Sequence, residues 1–215
     1  MFSEDVQKVY EEIRNGILDE IYEPGQPLPE ILFAQKYGVK RTRIRQIFQK
    51  LERDGLVEII PAKGAFVKPI SMIEFQEIFE IREALEGIAA RLAARKRRDE
   101  DIEKIIKEFE VIKDEQRDDN LETKVRVGGT LHELILRNSG NKKIINILEP
   151  LQTQVTRIWK RGIFLSPDRI NRAFKEHVEI LMALKEKDEV LSERKMREHI
   201  ANAFKDYIRM LILNE

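Results

Sequence analysis

The stretch EPGQPLPEILFAQKYGVKRTRIRQIFQKLERDGLVEIIPAKGAFVKP, residues 23–69, decides how the first third of the chain folds. Its opening, Glu23–Pro29, holds three prolines and a glycine, so no helix continues through it. Pro29 suits the first turn of a helix over PEILFAQKY, and Gly38 suits its C-terminal stop. After only Val39 and Lys40 a second helix begins, RTRIRQIFQKLERD, ended by Gly55. Its apolar stripe of Ile44, Ile47, Phe48 and Leu51 leaves Arg41, Thr42, Arg43 and Arg45 turned outward at its start. LVEII, the turn PAKG and AFVKP then read as a β-hairpin with Lys63 and Gly64 at its tip. Helix, tight turn, helix and hairpin together predict a winged helix-turn-helix.

Charge singles out the same segment. Between Ile31 and Leu51 lie Lys36, Lys40, Arg41, Arg43, Arg45 and Lys50 and no acidic residue, although the whole chain balances 39 Lys and Arg against 39 Asp and Glu. One basic island on a neutral protein is the footprint of a face that meets phosphates. The blander alternative is a solvated helix face, but elsewhere in this chain exposed charge is mixed in sign. A helix-turn-helix inserts the N-terminal part of its second helix into the major groove, where arginine pairs with guanine edges or clamps phosphates. Lys63 and Gly64 at the wing tip reach a neighbouring groove in this reading. Lys40 adds a physical clue: a cation at a helix N-terminus opposes the dipole and caps poorly, and a bound phosphate would offset that cost.

Upstream, Ser3 with Glu4 and Asp5 suits a helix start, and Val6, Tyr10, Ile13, Ile17 and Leu18 recur at helical spacing. The 215 residues, 42% hydrophobic, suffice for one large or two small cores, and no apolar run reaches the ~18 residues of a membrane span. There is no cysteine, which excludes disulfides and thiolate chemistry, and the N-terminus lacks a signal-peptide pattern. A cytoplasmic protein is expected.

From Ser71 onward helical stripes follow one another, broken at Arg97–Asp101, Arg117–Asn120, Asn138–Asn141, Leu165–Asp168 and Lys185–Asp188. The expected architecture is therefore mainly α: a winged helix-turn-helix with a small β-hairpin over residues 1–70, and an antiparallel all-α bundle of about six helices over 71–215. Trp159, Lys160 and Arg161 read as packing and surface. The chain's three histidines, His132, His177 and His199, all fall in the bundle and on apolar stripes. The turn near Asp188 lies almost midway between His177 and His199. Residues equally far from an antiparallel turn sit at one height, here roughly 16 Å along each helix at ~1.5 Å per residue. His177 and His199 should therefore face each other, as two metal ligands must. A single inward histidine is most simply a hydrogen-bonded core residue; three, two of them matched in height, point to a divalent transition metal, zinc or nickel by imidazole chemistry.

The segment 23–69 resembles the DNA-binding domain of the GntR family of bacterial transcription regulators. FEIREALEGIAARLAA, TLHELILRNSGN, EHVEILMALKEKD and MREHI resemble the all-helical effector domain, called FCD, of its FadR-like members. The resemblance implies Arg41, Thr42 and Arg45 as the principal DNA contacts, with Arg43 beside them and Gly64 close to the duplex. Lys40 stands where Ser or Thr is usual, and Ile31 where several members carry an arginine that reads a base. It also implies a metal held by one aspartate and three histidines, the latter matched by His132, His177 and His199. The aspartate's place, one turn before His132, is Gly128, followed by Gly129. That departure leaves three alternatives: an open coordination position, weaker affinity, or a site out of use.

Arg82 falls on the stripe Phe75, Ile78, Leu85, Ala89, Leu92, and a buried guanidinium needs an anion. Either Glu86 supplies it or Arg82 holds a carboxylate effector, since FCD members often bind small organic acids. The resulting expectation is a homodimeric regulator whose operator affinity changes when an effector shifts the bundle helices. The rival is a metal-dependent enzyme with a three-histidine centre, against which no carboxylate is evidently placed beside the histidines as a general base.

Overall fold

The computed structural model describes residues 4–96, 98–114, 121–160 and 166–213. Ser3, Arg97, the breaker at 117–120, Arg161 and Leu165 lie outside them, as do the side chains of Trp159 and Lys160. The chain forms two compact units, Met1–Phe75 with Glu149–Arg161, and Gln76–Leu148 with Gly162–Glu215.

The first unit holds α1 (Glu4–Leu18), β1 (Pro27–Leu28), α2 (Glu30–Tyr37), α3 (Arg41–Arg53), β2 (Val57–Ile60) and β3 (Gly64–Val67). Val6, Tyr10, Ile13, Ile17 and Leu18 of α1 are buried together with the α3 stripe Ile44, Ile47, Phe48 and Leu51, so period-3.6 patterning alone selected the packed faces. Gly38 ends α2 in the left-handed region at φ 64°, its N–H turned back to the Ala34 and Gln35 carbonyls. That conformation is nearly free of strain only for glycine. The hairpin β2–β3 pairs Ile60 with Gly64, leaving Lys63 exposed at the tip.

One strand escaped the sequence reading. Pro27–Leu28 pairs with Phe66 and Ala65, so the sheet has three strands in the order β1-β3-β2. Pro27 is tolerated there because β1 is an edge.

The remaining helices are α4 (Met72–Lys96), α5 (Asp99–Asp114), α6 (Leu121–Ser139), α7 (Lys142–Lys160), α8 (Pro167–Lys185) and α9 (Glu189–Leu213). Six helices match the expectation, and their ends follow local chemistry. Asn141 Oδ1 accepts from the Lys143 and Ile144 N–H groups at the start of α7, and the Ser166 side chain accepts from Arg169 N at the start of α8. Lys187, at φ 59°, and Asp188, whose Oδ1 caps Leu191 N, turn α8 back into α9. Phe109 of α5 stacks on Phe174 of α8 at 5.2 Å between ring centroids.

Helix α7 contributes to both units, passing from one to the other between Leu148 and Glu149, next to the intrahelical Pro150. Its later half is built into the first unit: Arg14 Nη2 donates to Thr153 Oγ1 at 3.4 Å and Arg157 Nη1 to the Lys68 carbonyl at 2.5 Å. By packing, then, the first unit takes in thirteen residues (149–161) far from the division at residue 70.

Candidate nucleic-acid interface and metal centre

The start of α3 presents the expected basic group. Lys40 is the N-cap residue and makes no side-chain capping bond, and the first turn of α3 carries no acidic residue of its own. Arg41, Thr42, Arg43 and Arg45 are all exposed, as are Lys63 and Gly64 on the wing and Ile31 on α2. Arg43 Nη1 donates to Gln46 Oε1 at 3.0 Å.

The sequence window that contains no acid begins one residue too late to include the decisive one. Glu30, in the first turn of α2, receives Arg41 Nε at 2.6 Å and Arg45 Nε and Nη2 at 2.8 and 3.1 Å. These hydrogen bonds, Arg45's above all, hold the Glu30 carboxyl below the usual carboxylate range against a partly opposing desolvation. Two guanidinium groups one turn apart share one carboxylate, and it fixes their orientation on the outward face. Because both arginines are more than half exposed, these pairs contribute little to stability; their effect is geometric.

In the second unit α6, α8 and α9 bring the three histidines together. His177 and His199 meet across the α8–α9 turn as the height argument required, Nε2 to Nε2 at 3.2 Å. His132 Nε2 lies 3.3 Å from each of them. Nitrogens bound at ~2.0–2.1 Å to one tetrahedral ion are about 3.3 Å apart, so the donor triangle has the size a zinc-like ion requires. Burial first, and then the neighbouring imidazoles and Arg169, push His177 and His199 well below the ordinary histidine pKa, which keeps them neutral and able to donate a lone pair. The residues present therefore fit a divalent metal, by donor type and spacing.

Two carboxylates touch these rings, contrary to the expectation that none stands beside the histidines. Glu86 Oε2 accepts from His132 Nδ1 at 2.6 Å and Glu176 Oε2 from His199 Nδ1 at 2.7 Å. Both sit on the side of the ring away from the triangle, where they orient ligands rather than serve as a base. Burial alone would raise the Glu86 carboxyl, but Arg82 and His132 overcome it and bring it down to about 2. Arg82 is placed as the first of the two alternatives proposed: its Nε donates to Glu86 Oε1 at 2.7 Å, both side chains nearly inaccessible.

Gly128 also acquires a reason. A Cβ there would stand 2.4 Å from His177 Cε1 and 2.7 Å from its Nδ1, whereas one on Gly129 would meet nothing within 4 Å. The His177 ring occupies the space a side chain at 128 would need. Gly128→Ala is accordingly expected to push His177 out of the triangle and weaken zinc binding tenfold or more by competition titration. Gly129→Ala should leave affinity unchanged and raise the melting temperature through the ~1 kcal/mol helix preference of alanine over glycine. Equal zinc affinities in the two variants would refute this account of Gly128.

A winged helix-turn-helix joined to a helical domain with a three-histidine cluster is the build of a DNA-binding protein with a second, candidate ligand-holding domain. Residues 5–67 match the family model of bacterial regulatory proteins, gntR family, and residues 77–202 that of the FCD domain. The chain belongs to the GntR family of transcription regulators, in the group that carries an FCD domain. It is similar to the HTH-type transcriptional repressor RspR of Escherichia coli, 27% identical over 201 residues that cover 90% of this chain and 85% of that one. An HTH-type regulator of Agrobacterium vitis is 40% identical over 89 residues, 41% of this chain and 52% of that protein. E. coli McbR/YncC has the same fold, with a TM-score of 0.72 at 20% identity over 100% of this chain and 99% of that one. The protein is a DNA-binding transcription regulator, and the relatives answer the enzyme alternative: they are named as regulators. No described helix is long and apolar enough to cross a membrane.

Proposed function

We propose that this regulator is a cytoplasmic homodimeric repressor that reads a two-fold operator with Lys40, Arg41, Thr42, Arg43 and Arg45 in the major groove and Lys63 and Gly64 at the wing. Residues 1–70 act as the DNA-binding domain and residues 71–215 as the effector and dimerisation domain. The Arg41–Glu30–Arg45 fork carries this reading, because it holds two guanidinium groups outward on the second helix of the pair, the one that helix-turn-helix proteins insert into the major groove. Two copies are needed because half-sites related by two-fold symmetry multiply affinity and specificity. The repressor names of relatives such as RspR support repression.

His132, His177 and His199 hold one divalent metal ion, zinc or nickel. Bound there, the ion would supply a Lewis-acidic positive charge that attracts the carboxylate of a small organic acid. The chain's own part is to orient the three Nε2 atoms and to exclude water by burial. Binding of the acid shifts the bundle between two arrangements and changes the spacing of the recognition helices. Arg82, whose Nε is engaged by Glu86, would have only its Nη groups to offer such an acid.

The test is selection of duplexes from a random pool by the zinc-loaded protein, followed by fluorescence anisotropy at 0.15 M salt with and without a panel of small organic acids. Enrichment of an inverted repeat, and its release by one acid class, is the expected result. A pool that stays random would sink the operator reading, and binding indifferent to every acid and to chelation would sink the effector reading.

A further inference from the structure

We propose that Glu86 and Glu176 are positioning residues for the histidine centre, each the middle member of a relay of arginine, glutamate and histidine that fixes one metal ligand. The inference deepens the metal reading and rests on it for its affinity arm, while its tautomer arm stands on hydrogen-bond geometry alone.

The two relays are built alike on different helices. In the first, Arg82 Nε donates to Glu86 Oε1 at 2.7 Å within α4, and Glu86 Oε2 accepts from His132 Nδ1 of α6 at 2.6 Å. In the second, Arg169 Nη1 lies 3.4 Å from Glu176 Oε2 within α8, and the same oxygen accepts from His199 Nδ1 of α9 at 2.7 Å. Asn202 Nδ2 donates to Glu176 Oε1 at 2.9 Å, and Asp206 Oδ2 receives Arg169 Nε at 3.1 Å, so the second relay is braced at its arginine and at its glutamate.

A carboxylate beside a guanidinium can only accept. Each glutamate therefore holds its histidine in the form protonated at Nδ1, which leaves a bare lone pair on Nε2. Those two lone pairs, on His132 and His199, then face each other at 3.3 Å with no hydrogen between them. A cation shared by the rings turns that repulsion into coordination. A core of ordinary hydrogen-bonded histidines would instead alternate donors and acceptors.

The third ring is held differently. His177 Nδ1 is buried and has no hydrogen-bond partner among the described residues, and its ring rests in the space left by Gly128. Two ligands are set by relays and the third is set by packing alone. Arg82 thus acts on the metal centre through Glu86, two hydrogen bonds from the His132 ring.

The experiment uses the full chain stripped of metal. Long-range 1H–15N correlation at pH 8 should show His132 and His199 protonated at Nδ1. Zinc affinity, by competition with a chromophoric chelator, should fall tenfold to a hundredfold in Glu176→Gln, with far-ultraviolet circular dichroism unchanged. Glu86→Gln would strand the buried Arg82, so it is combined with Arg82→Met, and the same loss is expected. Protonation at Nε2 in both rings of the wild type, or zinc affinity of folded Glu176→Gln within twofold of wild type, would overturn the proposal. A wild type that binds no zinc defeats the metal reading alone, and the tautomer measurement then decides the relays.

Discussion

His177→Ala is expected to abolish near-stoichiometric metal. Protein purified without tag or chelator should carry close to one zinc or nickel ion per chain by elemental mass spectrometry, and the variant almost none. Removing one corner of a triangle whose edges are 3.2–3.3 Å leaves two ligands, too few to hold the ion against buffer. The loss should be at least the ten- to hundredfold seen when an outer partner is removed. Stability follows by mass action: an ion present at a hundred times its dissociation constant stabilises the fold by about 2.7 kcal/mol. For a chain of this size that corresponds to a melting temperature roughly 5–10 °C lower after chelation. The alanine variant should melt at the same temperature with and without chelator. Metal retained in the variant, or none in either protein, would remove the histidine centre as a metal site and leave the three rings as core or as direct contacts to an effector.

The second large effect belongs to the fork on α3. Arg45→Ala should weaken specific operator binding by ~1–3 kcal/mol per half-site, hence about 2–6 kcal/mol in a dimer, and lower the slope of log affinity against log salt. The variant keeps Glu30, which then pairs with Arg41 alone. In the double variant Arg41→Ala/Arg45→Ala the carboxylate has neither partner and faces the phosphates, so the loss should exceed the sum of the two single losses. Anisotropy titrations at several salt concentrations measure both quantities. Wild-type affinity in the double variant would mean that the basic face of α3 does not meet DNA.

Glu30 also marks the limit of what charge counting reveals. It stands one position before the acid-free window, and nothing in the string of residues says that a side chain at the start of α2 reaches two arginines eleven and fifteen residues later. Position 30 is near position 41 only because the turn at Gly38–Val39 folds α2 back against α3. The same holds for Glu86 and Glu176. Spacing along the chain offers Glu86 to Arg82 one turn away, but among 39 acidic residues it does not say which two end beside an imidazole 46 and 23 positions away.

What the sequence by itself determined was everything governed by neighbours along the chain. Proline, glycine and the apolar period placed α2, α3 and the wing, and the six later helices end at the breakers read for them wherever those residues are described. Equal distance from one turn sufficed to bring His177 to His199. What only the tertiary structure decided was everything that depends on which surfaces meet. Strand β1 is two residues long and exists only because β3 pairs with it. Helix α7 runs on through Pro150, and its two parts belong to different packed units, since periodicity states which face is apolar and not which neighbour covers it. Gly128 reads as a gap in a ligand set until the His177 ring is seen to fill the space of its missing Cβ, because close packing is a property of pairs of surfaces and not of one residue in its own helix.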